Sequence, residues 1–264
     1  MTLDLTQYSQ ATINAGSKSF SKAAMLFDRE TRHSVRLLYA WCRHCDDVID
    51  GQTLGRGLQT FSHAEQTQRL QSLKAQTADV YAGRKCDHPA FAALANVVHK
   101  HGIDNRHALQ LLEGFALDVS GSRFDTLDDT LHYCYHVAGV VGIMMAQIMG
   151  VTDKAILLRA CDLGMAFQLT NIARDVIDDF AIGRCYLPQQ WLAAAQLTES
   201  DIGLPQHRAA LHALVQKLLL VADDYYASAQ HGIAHLPLRS AWAIASALLI
   251  YRDIGLQEIG RAHV

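Results

Sequence analysis

Proline is nearly missing from this chain. Its 264 residues include four, Pro89, Pro188, Pro205 and Pro237, and none falls between Ala90 and Leu187. Proline inside a helix costs about 3 kcal/mol, so this long proline-free run suits long helices. A basic surplus is missing too. The 23 Lys and Arg stand against 26 Asp and Glu, a net charge of −3, which argues against the basic face a nucleic-acid binder needs. No uninterrupted apolar run is long enough to span a bilayer, and no signal peptide is visible. The six cysteines lack the density of a disulfide framework and read as reduced thiols of a cytoplasmic protein. Strand-like alternation is absent. The expected class is all-α, and 50% hydrophobic content is enough for one large core in a single domain.

Apolar periodicity predicts helices near 7–13, 28–50, 64–82, 89–101, 104–121, 125–150, 153–180, 189–196, 206–232 and 238–258. Gly51–His63, polar and glycine-bearing, is the expected long loop, and a lid there would sit beside the first motif described below. The segment Asp125 to Asp129 supplies an expected N-cap, and Gly183 and Pro188 bracket the end of the helix over 153–180. Gly139 and Gly142 fall inside a predicted helix. There they predict close helix packing, room for a long apolar ligand, or both.

What the chain does have is two aspartate-rich helical stretches, Asp46-Asp47-Val48-Ile49-Asp50 and Asp175-Val176-Ile177-Asp178-Asp179. On an ideal wheel Tyr39, Arg43, Asp46 and Asp50 fall within about 60°, and Gln168, Asn171, Asp175 and Asp179 within about 80°. Carboxylates clustered this closely repel one another unless cations lie between them. Two such faces across a cavity would hold hard divalent ions, which would in turn hold a phosphate-bearing ligand. Bound Mg²⁺ would make diphosphate a better leaving group, with Arg43, Arg174 and Arg184 close by. Arg174 lies off its stripe, which leaves a structural role open. A single acidic pair would read as a solvated helix face, whereas two pairs embedded in apolar sequence favour the metal–diphosphate reading. Cys42 and Cys45 form one CxxC on a helix and read as core residues. His132 and His136 lack the glutamate of a zincin motif and read as structural.

Six strings, in order and at suitable spacing, resemble the squalene/phytoene synthase family. They are Gly16-Ser17-Lys18-Ser19-Phe20-Ser21, the run from Tyr39 to Asp50, Glu113-Gly114-Phe115-Ala116-Leu117-Asp118, the run from Tyr133 to Gly139, the run from Phe167 to Asp175, and Gly183-Arg184-Cys185-Tyr186-Leu187-Pro188. The resemblance implies an all-helical terpenoid synthase fold with a central cavity. It also implies head-to-head condensation of two geranylgeranyl diphosphates. By position, Asp46, Asp50, Asn171, Asp175 and Asp179 would bind Mg²⁺, with Mn²⁺ as the alternative ion. Ser17, Lys18, Ser19, Tyr39, Arg43, Gln168, Arg174, Tyr186 and Tyr251 would contact substrate, with Arg184 beside them. Phe20, Asp118 and Tyr133 match cavity positions. Catalysis would rest on Asp46, Asp50, Asp175, Asp179 and Arg174. Asp178 stands where the family commonly has glutamate. No glycine-rich dinucleotide motif is present, so NADPH is not expected. Farnesyl diphosphate and a squalene or dehydrosqualene product form the alternative, as does a non-catalytic lipid-binding or partner-binding relative. Peripheral attachment at the inner membrane is expected because the product is a hydrocarbon; oligomeric state is not legible.

The synthase-like domain is expected to cover 1–258. The resemblance implies a further arginine-bearing segment and final helix after Tyr251 and Arg252. The closing string Ile259-Gly260-Arg261-Ala262-His263-Val264 matches the translation of a common sequencing-library adapter, so 259–264 is expected to be a non-native tail. A chain without the implied segment would lose cavity wall and a contact to an anionic ligand.

Overall fold

The computed structural model describes residues 4–260 apart from 55, 56, 58 and 60, and only the backbone of 259 and 260. The tail beyond 260 lies outside the described residues. Twelve α-helices are found among the described residues, with no β-strand. They are α1 (Leu5–Gly16), α2 (Lys18–Ala24), α3 (Arg29–Asp50), α4 (His63–Tyr81), α5 (Pro89–His101), α6 (Asn105–Val119), α7 (Leu127–Cys134), α8 (Val140–Ile148), α9 (Lys154–Ala181), α10 (Gln189–Ala194), α11 (Arg208–Ile233) and α12 (Leu238–Gly260).

The ends of these helices follow from local chemistry. Asp28 caps α3, accepting from the Glu30 and Thr31 amides at 2.9 and 3.0 Å, and Gly51 ends that helix at φ 66°. Ser62 and Glu65 form a capping box on α4. Thr126, with Asp129, caps α7 inside the window the sequence indicated. Helix α2 was not predicted. Its seven residues are too few to show a period; Ser17, extended at φ −155°, breaks the chain from α1 and restarts it by accepting from the Phe20 amide at 3.2 Å.

The helix predicted over 125–150 is interrupted by one π-helical turn, Tyr135–Gly139, between α7 and α8. By length and composition the run Leu127–Ile148 could cross a membrane, although its uninterrupted apolar stretch, 137–146, is too short to span one; it packs against α6 and α9. Contact with α9 is close. A Cβ on Gly142 would lie 2.1 Å from the Ala160 carbonyl oxygen, and one on Gly164 would lie 2.2 Å from that of Ala138. Both helices therefore need glycine at the crossing.

Buried apolar side chains form two halves. One gathers Leu37, Leu38, Trp41, Phe91, Leu94 and Leu112 around α3, α5 and α6. The other gathers Leu169, Ile172, Leu218, Tyr226 and Leu248 around α9, α11 and α12. Phe20, Tyr135, Leu157 and Ile244 pack against both. Cys45 is fully buried in the first half, and burial pushes its thiol well up, as suits a core residue. His136 Nδ1 lies 2.9 Å from the Gln110 carbonyl, a structural bond.

Candidate active site

A cavity of about 490 Å³ runs between the two halves of the core. Its walls are largely apolar: Phe27, Leu38, Val141, Met145, Leu163, Ala243 and Ala247 contribute, and Ala138, Gly142, Ala160 and Gly164 leave room. Gly142 thus serves both expected purposes, whereas Gly139 packs against Cys161 and Met165 of α9 and is not among the lining residues. The polar side chains lining it are Ser17, Tyr39, Arg43, Asp46, Tyr133, Arg159, Gln168, Asn171, Arg174 and Tyr251. A second cavity, about 680 Å³, lies between α1, α3 and the following loop and is lined by Asp47 and Val48 of the acidic motif but not by Asp46 or Asp50.

Each acidic helix puts its polar stripe at this end of the core. On α3, Arg43 pairs with Asp46 and Asp47, each at 3.0 Å. Asp47 turns away and accepts from the Leu54 amide at 2.7 Å, which fixes the start of the Gly51–His63 loop. Asp50 instead meets Arg184, Nη2 to Oδ1 at 2.5 Å. Burial, reinforced by the charge of Asp50, pushes the Asp46 carboxyl up to about 7.

On α9, Arg174 wraps back to its neighbour Asp175 through two bonds, 2.6 and 2.5 Å. This explains how a residue off the stripe reaches the site. Burial, and then Asp175, push Asp179 up to about 7. Asp178 is exposed. Asn171 Oδ1 is buried and has no hydrogen-bond partner.

The two stripes converge on Asp118 and Arg184. Asp118 accepts from Tyr186 at 2.8 Å and from Tyr133 at 3.1 Å, and those two rings stack with centroids 4.7 Å apart. Burial pushes Asp118 up to about 6, partly offset by Arg184. The charge of Asp118 is felt at both Asp46 and Asp179, and that of Arg184 at Asp118 and Asp179. Tyr186 is held from behind by Thr130, whose hydroxyl donates to the Tyr186 carbonyl at 2.9 Å.

Next to the acidic end, Phe20 stacks on Tyr251 at 5.2 Å, and Phe167 lies 4.3 Å from Tyr251 and 5.9 Å from Phe20. Phe20 also meets Tyr39 edge-on at 6.4 Å. Ser17 lines the cavity while capping α2. Lys18, exposed, and Ser19 follow it on the first turn of α2 and are not among the lining residues.

Among the described residues no group of three or more His, Cys, Asp or Glu forms a ready metal cage. The donor set still fits Mg²⁺, which usually takes one or two protein carboxylates, keeps several waters and completes its shell with phosphate oxygens. The orphaned Asn171 oxygen is an unsatisfied donor atom of the right kind, one turn from Asp175.

The squalene/phytoene synthase family model matches residues 13–262. The chain belongs to that family. It is 55% identical over 255 residues to a 15-cis-phytoene synthase from Pantoea ananas, covering 96% of this chain and 82% of that protein. A 15-cis-phytoene synthase from a Paracoccus species is 49% identical over 255 residues, with the same coverage. Among solved structures, a dehydrosqualene synthase in complex with ligand matches with TM-score 0.83 at 26% identity, covering 98% of this chain and 95% of that one. A squalene synthase from Alicyclobacillus acidocaldarius shares the fold, with TM-score 0.80 at 21% identity over 100% and 97% of the two chains.

In this squalene/phytoene synthase family member, sequence reasoning assigned no role to Phe167, although it opens the second quoted α9 string. Its signal was one aromatic immediately before Gln168. Nor did the sequence show that Arg184 crosses to Asp50, a contact spanning 134 residues.

Proposed function

We propose that this chain is a phytoene synthase, condensing two geranylgeranyl diphosphates head to head through prephytoene diphosphate with release of diphosphate. One observation carries this reading: two acidic helix faces share Asp118 and Arg184 beside an apolar cavity with aromatic walls. Names of the close relatives support it.

Asp46 and Asp50 on one side, and Asn171, Asp175 and Asp179 on the other, would hold divalent metal, Mg²⁺ by their oxygen chemistry and Mn²⁺ as the alternative. Metal bound there would neutralise diphosphate charge and ease its departure. The protein's own residues do the rest. Arg43 and Arg174 flank the cavity end and offer positive charge to a departing diphosphate. Phe20, Phe167, Tyr39 and Tyr251 present ring faces and edges beside that end, which modestly stabilises allylic cations. Apolar walls exclude the water that would quench those cations.

We place the enzyme at a membrane surface on the cytoplasmic side. Helix α12 supports this: Ala243, Ala247 and Tyr251 face the cavity, while Leu238, Trp242, Leu249 and Leu256 are exposed on its outer side. The activity itself is tested by supplying purified protein with Mg²⁺ and either geranylgeranyl or farnesyl diphosphate, then identifying hydrocarbon products by mass. Phytoene from the longer substrate is expected, and a preference for the farnesyl substrate would overturn the assignment.

A further inference from the structure

Three arginines serve this site, and they are wired differently. Arg43 pairs with Asp46 and Asp47 on its own helix, one turn away. Arg174 pairs with its immediate neighbour Asp175. Arg184 instead crosses from the end of α9 to the end of α3 and meets Asp50 at 2.5 Å.

This crossing is built into the backbone. Gly183, at φ 80°, ends α9 in a left-handed turn. Its amide donates to the Phe180 carbonyl and the Arg184 amide to the Asp179 carbonyl, both at 2.9 Å. That turn reverses the chain and carries Arg184 back toward α3. Once there, the guanidinium is about three-quarters enclosed, with 24% of its side chain exposed, facing Asp50 at 16%. Burial works against its charge, yet Asp118 and Asp50 outweigh that and hold it firmly protonated. Arg184 also opposes the upward push on Asp118 and Asp179. One fixed cation thus answers carboxylates on α3, α6 and α9.

We infer that Arg184 is a resident counter-ion that joins the two acidic faces before any metal arrives and gives up Asp50 to the metal when it binds. This rests on the proposed role of Asp50 as a metal ligand. The physical basis is competition: a carboxylate oxygen already paired with a buried guanidinium is a poorer metal donor, while the same pair prevents Asp50, Asp118 and Asp179 from forcing the helices apart. Arg184 is therefore a positioning residue. It makes substrate-free protein stable at the expense of metal affinity, so that metal binds productively together with diphosphate.

Mn²⁺ binding, followed by electron paramagnetic resonance without diphosphate, tests this with wild type, Arg184→Ala, Arg184→Lys and Asp50→Ala. Arg184→Ala should bind Mn²⁺ about tenfold more tightly than wild type and melt at lower temperature without metal, with added Mn²⁺ recovering much of the loss. Arg184→Lys, which keeps a cation, should return both values toward wild type; a merely structural role would lower the melting temperature without tightening Mn²⁺. Unchanged or weaker Mn²⁺ binding in Arg184→Ala, with Asp50→Ala reducing binding, would overturn the counter-ion role and leave the metal site standing. Absence of Mn²⁺ binding in every variant, even with inorganic pyrophosphate added, would overturn the metal reading as well.

Discussion

The acidic face of α3 and that of α9 look alike in sequence but are prepared differently. On α3 both carboxylates of the stripe have arginine partners: Asp46 has Arg43 from its own helix and Asp50 has Arg184 from beyond α9. On α9 only Asp175 is paired; among the described residues no hydrogen bond or ion pair reaches the Asp179 carboxylate, and the Asn171 oxygen is orphaned. The first face is thus compensated by the protein, while the second is left partly open. Burying unpaired polar groups costs stability. Such a cost is understandable where an external cation completes the set.

The largest effect should come from removing one carboxylate from each face. Asp50→Ala and Asp175→Ala should each lower turnover about 1000-fold or more, because leaving-group stabilisation is worth several kcal/mol at about 1.4 kcal/mol per tenfold. Circular dichroism should show helicity retained. A large loss in only one variant would mean that the two faces do not act on one diphosphate.

Next comes the contrast between a compensated and an open face in metal-free protein. Arg43→Ala removes the ion pairs to Asp46 and Asp47, although Asp47 keeps the Leu54 amide, and should destabilise by about 1–3 kcal/mol. Asn171→Ala removes an oxygen with no partner to lose and should leave denaturant stability nearly unchanged while weakening Mn²⁺ binding. Equal destabilisation by both would erase the distinction between the faces.

The smallest effect is on pH dependence. Asp46, Asp118 and Asp179 are pushed, chiefly by burial, up to about 7, 6 and 7 from 3.8. Their raised values mean that the metal-free fold holds protons the unfolded chain has released. This contribution is fully present below about pH 4 and is lost as pH rises through 6 to 7. Buried histidines held below their usual value, His44 at about 4 among them, act in the opposite sense over the lower part of that window. The carboxyl contribution is therefore read by difference: the metal-free melting temperature of wild type should fall relative to that of Asp179→Asn as pH rises from 4 to 7, and less so with saturating Mg²⁺. A difference that does not change with pH would show that Asp179 holds no extra proton in the fold.

Periodicity, caps and the dearth of proline made most of the helices legible, because an amphipathic helix writes its buried face into three- and four-residue spacing. The paired acidic stripes were legible for the same reason: Asp46 and Asp50, or Asn171, Asp175 and Asp179, fall on one face whatever surrounds them. Helix α2 was too short to show a period, and the π turn at Tyr135–Gly139 shifts register by one residue without a signal that periodicity can detect.

By itself, then, the sequence determined which side chains share a helix face, since that depends only on neighbours a few positions away. Tertiary structure alone decided which faces meet. The Asp50–Arg184 pair, the Asp118–Tyr133–Tyr186 cluster and the Phe20–Phe167–Tyr251 stack join residues far apart along the chain. Packing of glycine-thinned helices, not local periodicity, sets those distances and leaves Asn171 without a partner.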